Sequence, residues 1–171
     1  MLLKNEIYLE SRKQILTVNS TKGKWDRGAQ EKIFQKIDKD IERWDCVGEE
    51  DQKTNAIKAE TFDLIKKGSY RELIPNIESN SFSNLTQSLQ IFQDNPFLIK
   101  EVLEKNIRIF LPFKSQSRRD ENGKPFCFVA NIFSLNKKVE LRVSKYTRKN
   151  TWTTYLNIVV ILPQLNKKGI D

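Results

Sequence analysis

The side chains in this chain best equipped for chemistry are cations. The stretch 113–128 has aromatic ends and carries Lys114, Arg118, Arg119 and Lys124 around Asn122-Gly123. Lys145, Tyr146, Arg148 and Lys149 form a second basic group. Arg108, Arg142 and Tyr155 occupy positions that alternate with apolar residues. Lysine and arginine neutralise phosphates, and exposed aromatic faces stack bases. This combination points to a nucleic-acid-binding surface.

Other chemistries are thinly supplied. The chain has no histidine. This removes Ser-His and Cys-His nucleophile pairs and histidine-based zinc sites. The two cysteines, Cys46 and Cys127, lack metal-ligand spacing, and reduced thiols are expected. Cys127 lies in an apolar run and reads as a small buried hydrophobe. The nearest approach to a metal-dependent nuclease is Asp120-Glu121 followed by Glu140-Leu141-Arg142. It has arginine where such a site uses lysine, and Asp120 falls in a turn, so ordinary surface charge is the better reading. A metal-free ribonuclease built from Arg142, Lys145 and Tyr146 would have no spacing signature. The six glycines are isolated, with no phosphate-binding loop. The acidic run 49–51 lacks the alternation of a calcium loop. No catalytic residue, metal or cofactor is assigned.

The elements that must position these cations divide the chain. At 171 residues, 1–171 reads as one domain, and ten phenylalanines can fill a core without disulfides. Residues 1–20 suggest two short strands, with a helix as the competing reading. Trp25, Ala29, Ile33, Ile37, Ile41 and Trp44 recur at intervals of three or four, which predicts a helix over 25–45. Ile57, Leu64 and Ile65 suggest a second helix over 52–67, with Gly68 as its cap. Ser69 and Glu72 resemble a capping box, cut short by Pro75. Residues 76–84 read as a loop. Helices are expected from Leu85 to Phe92 and, after Asn95-Pro96, through Glu104. Beyond Lys105 the apolar period shortens to two, giving four strands near 107–111, 126–135, 139–143 and 152–162. The expected fold is α+β, with N-terminal helices (1–104) on a C-terminal four-stranded antiparallel meander (105–163).

Charge follows the same division. Residues 1–104 hold 16 Lys and Arg against 18 Asp and Glu, a net of −2; residues 105–171 hold 14 against 4, a net of +10. In a meander the connections 114–125 and 146–151 would share one end of the sheet and form a basic rim with Arg108 and Arg142. Charged loops also serve simply to keep turns soluble, but that does not explain so uneven a distribution. The expectation is a small, cytoplasmic, non-catalytic protein that binds DNA or RNA as a regulator or accessory subunit. The alternative is a module, of the kind phages and plasmids use as inhibitors, that docks an acidic protein surface. A nuclease is third. No apolar stretch is long enough to span a membrane, and no secretory leader is evident.

Overall fold

Alternation, rather than helical periodicity, governs most of this chain. The computed structural model describes residues 8–22, 24–44, 46–47, 53–146, 151–152 and 157–164. In order the elements are β1 (Leu9–Val18), α1 (Arg27–Gln30), β2 (Lys36–Ile37), α2 (Asp40–Arg43), β3 (Ile57–Leu64), β4 (Gly68–Ser69) and α3 (Tyr70–Leu73). There follow α4 (Leu85–Asp94), α5 (Phe97–Lys105), β5 (Ile107–Arg119), β6 (Pro125–Leu135), β7 (Lys138–Lys145), β8 (Thr151–Trp152) and β9 (Asn157–Pro163). Seven strands form one mixed sheet in the order β1-β3-β9-β5-β6-β7-β2, and β4 pairs with β8 separately.

This overturns the expected meander and the split into a helical first part and a sheet second part. Strands β5, β6 and β7 do form consecutive antiparallel neighbours. The last strand, however, does not pair with β7. β9 inserts between β3 and β5, antiparallel to the first and parallel to the second. The reason lies in its composition. Ile158, Val159, Val160 and Ile161 are all buried, so both faces of β9 need cover. A strand apolar on both faces belongs in the middle of a sheet. The link from β7 is therefore a crossover, not a hairpin.

The segment 25–45 is not one helix. It folds as α1, an edge strand and α2, yet most of the expected apolar positions do face inward. Ile37 and Ile41 are buried, and Trp25, Ile33 and Trp44 pack against the main core. The free edge of β7 draws the chain out of helix. Gln35 N donates to Val139 O and Asp38 N to Leu141 O, both at 2.9 Å. The segment 52–67 is likewise a strand. Ile57, Ala59 and Thr61 form an inward-facing alternate set within β3, pairing it with β1 on one side and β9 on the other. Residues 9–18 make one strand with a register shift between Ser11 and Ile15, where Lys13 has φ of 54°. Gly68 caps no helix. A β-carbon there would lie 2.8 Å from Tyr8 Cδ1, so glycine permits this close approach.

Two cores lie on opposite faces of the sheet. Ile109, Leu111 and Phe113 of β5, Phe128, Ala130 and Ile132 of β6, and Val139, Leu141 and Val143 of β7 meet α4 and α5 through Leu85, Leu89, Phe92, Leu98 and Val102. On the other face Phe110, Val129, Ile158 and Val160 meet Tyr70, Leu73 and Ile74. The Ser69–Glu72 capping box starts α3 and sets it on this second face. Asn136 and Lys137 both take positive φ in the tight β6–β7 turn, which suits the twist of a two-residue hairpin.

Candidate nucleic-acid interface

The basic residues of the β5–β6 hairpin stand on an arm. β7 pairs with β6 as far as the Phe128–Lys145 rung, and β9 pairs with β5 as far as the Phe110–Val160 rung. Beyond Lys114 and Cys127, β5 and β6 continue as two strands with a bulge before Arg119. Ser115 Oγ accepts from Arg118 N at 2.9 Å and helps shape that bulge. At the tip Asp120 Oδ1 accepts from Asn122 N and Lys124 N, and Gly123 takes φ of 75°. The Asp120 carboxylate is therefore used in the turn. Glu140 lies down the sheet opposite Phe133, roughly 25 Å from the Pro125 end of β6 at the usual strand rise. The acidic residues considered for a nuclease do not converge.

The cations fall into two groups instead of one rim. Lys114, Arg118, Arg119 and Lys124 belong to the hairpin arm, with Lys145 at the same end of the sheet but on the face carrying α4 and α5. Arg108 and Arg142 lie further down the opposite face, on either side of Phe133 and Asn131. Helix α3 packs across the same face, where the Tyr70 and Ser144 hydroxyls are 3.2 Å apart. Tyr146 joins that packing. Its ring is 5.9 Å from Tyr70, and its hydroxyl donates to Ile74 O at 3.3 Å. Arg148, Lys149 and Tyr155 lie outside the described residues, as do the acidic run 49–51 and the first seven positions.

The way these cations are held is informative. Arg118 sits 4.6 Å from the centroid of Phe126, and Lys145 5.0 Å from that of Trp44. Arg108 and Arg142 both lie over Phe133, at 4.7 and 4.9 Å. An aromatic face fixes a cation without cancelling its charge. Carboxylates meet fewer of them. Lys124 pairs with Glu78 at 3.9 Å, and Arg142 with Glu140 at 3.5 Å. Glu140 is 3% exposed and also holds Lys36 at 3.6 Å. Among the described residues, Arg108, Lys114, Arg118 and Arg119 have no carboxylate within ion-pair reach. Cys127 lies beside this region, and burial pushes its thiol up to about 11.

No protein-family model, curated protein or solved structure matches the chain. The surface has to be read from its own chemistry. Phe133, Asn131, Lys36 and Glu140 belong to it, although charge and spacing alone did not single them out as binding residues. One signal was present. Asn131 interrupts the otherwise apolar set Val129, Phe133 on one side of β6, marking where that face turns polar.

Proposed function

We propose that this protein binds nucleic acid without catalysis, through the cations of the β5–β6 arm and of the adjoining sheet face. The observation that supports this reading is the retention of positive charge. Arg108, Lys114, Arg118 and Arg119 lack a carboxylate partner among the described residues, and Arg108 and Arg118 rest on aromatic rings. Seating on a ring costs no charge, so the field that attracts phosphates survives. An accessory or regulatory role in a nucleoprotein complex suits a surface of this kind.

The test is equilibrium binding to mixed-sequence DNA and RNA over a range of salt concentration. The expected plot of log K against log salt is steeply negative, with a slope near 0.7–0.9 for each phosphate contact. Absence of binding at low salt would overturn the reading and favour an acidic protein partner. Mg²⁺-dependent cleavage of labelled strands would instead revive the nuclease.

A further inference from the structure

We propose that Arg108, Phe133, Arg142 and Asn131 form a subsite for one unpaired nucleotide of a single-stranded nucleic acid. This rests on the nucleic-acid reading above and gives it a position and a strand preference. Phe133 is only 4% exposed, so its ring cannot itself serve as the platform. Two guanidinium groups lie over it instead. A guanidinium seated on a ring is held in place, and it can present a flat outer face to a base and N–H edges to a phosphate. The Arg142 side chain is 50% exposed and tethered by buried Glu140, while Arg108 has no carboxylate partner among the described residues.

Asn131 supplies the second, independent observation. It lies directly across from Arg142 on β7 and Phe110 on β5. Its Oδ1 is buried and receives no hydrogen bond among the described residues. A buried acceptor left unmet is costly, and it calls for a donor. Phosphates and acidic side chains offer the arginines acceptors but offer the Asn131 oxygen no donor; that oxygen lies closed to solvent and meets a donor when the amide turns outward. A nucleotide offers both, an anion and a base N–H. In a duplex that N–H edge is paired and the base faces are stacked, so a sheet surface takes the single strand.

The experiment uses the full chain and short homopolymer oligonucleotides of DNA and RNA, each with a matching duplex, read by fluorescence anisotropy. Single strands of either sugar should bind more tightly than duplex. Arg108→Lys keeps the charge and loses the plane, and Asn131→Leu loses the acceptor. Each should weaken single-strand binding by about ten-fold. Lys32→Gln, exposed near the first helix and outside the basic surface, should leave it unaltered. In parallel, photo-crosslinking of the unmodified protein to a 5-iodouracil oligonucleotide should attach it to peptides of 107–111 or 131–142. This readout does not depend on any variant folding. Duplex preference, unchanged affinity in folded Arg108→Lys, or crosslinks confined to 114–124 would overturn the subsite while leaving nucleic-acid binding intact. No binding to any strand would overturn both.

Discussion

Two side chains allow direct tests at the residue scale. Cys127 is buried and its thiol is raised to about 11, so at pH 8 it stays protonated and covered. Cys46 is fully buried. A thiol reagent should label neither in the native protein at pH 8 and both in urea. Rapid native labelling would contradict the packing around β6. Glu42 tests the joint between α1 and α2. Burial raises its carboxyl, but hydrogen bonds from Arg27 and Trp25 outweigh this and hold it below the usual 4.5. The Arg27 Nη1 contacts are 2.8 and 2.9 Å, and Trp25 Nε1 donates at 3.0 Å. A carboxyl lowered in the fold stabilises it above its unfolded value and loses that effect as pH falls through the folded one. Wild type should therefore exceed Glu42→Gln at pH 7 by no more than about 1 kcal/mol, since the pair is partly exposed. The gap should close as pH falls below 4.5 in urea titrations. A gap independent of pH would remove the charge from the explanation.

At the scale of elements, the β7 edge is the most instructive. Two side chains there stand in for a longer strand: Gln35 Oε1 accepts from Val139 N at 2.6 Å, and Asp38 Oδ2 from Val143 N at 3.1 Å. Satisfying these donors closes an edge that would otherwise invite another chain. Asp38→Ala should cost about 1–3 kcal/mol, because it leaves Val143 N without its acceptor. Urea unfolding would measure the cost, and hydrogen exchange at Val143 should quicken. A loss below about 0.5 kcal/mol would mean that water replaces the carboxylate. The elements also show which patterns were legible. The Ser69–Glu72 box, α4 and α5 appear where local signals placed them, because caps and a full helical repeat act within a few residues. The stripe from Trp25 to Trp44 has intervals that suit a helix and equally suit short turns that point inward, and only the β7 edge distinguishes the two.

At the scale of the molecule, charge and topology act together. Reversing Arg118 and Arg119 to Glu should leave stability within about 0.5 kcal/mol, since the arm stands beyond the sheet's other strands. It should also weaken nucleic-acid binding and flatten its salt dependence. Lys24 and Lys32, exposed near the first helix, make the matched control. Lys36 does not, because it pairs with buried Glu140. Equal losses from both sets would mean diffuse attraction without a site. The crossover from β7 to β9 makes a second statement. Parallel pairing of β5 and β9 joins residues about fifty positions apart, so β9 should protect its amides late during refolding, after the β5–β7 hairpins. Pulse-labelled exchange that protects β9 first would contradict this order.

By itself the sequence determined the local and the additive properties of this protein. These are the C-terminal excess of charge, the lack of histidine chemistry, and the local start or repeat of α3, α4 and α5. Each depends on residue type or on neighbours a few positions away. Tertiary structure alone decided the partners of strands. The apolar run of β9 called for a central place, but nothing local named β3 and β5 as its neighbours, and β3 looked helical until β1 and β9 flanked it. The same holds for the candidate surface. Arg108, Asn131, Phe133 and Arg142 come from three strands, and pairing register brings them side by side. Cross-strand register is fixed by long-range burial, so a linear reading could see the cations but not the ring beneath them.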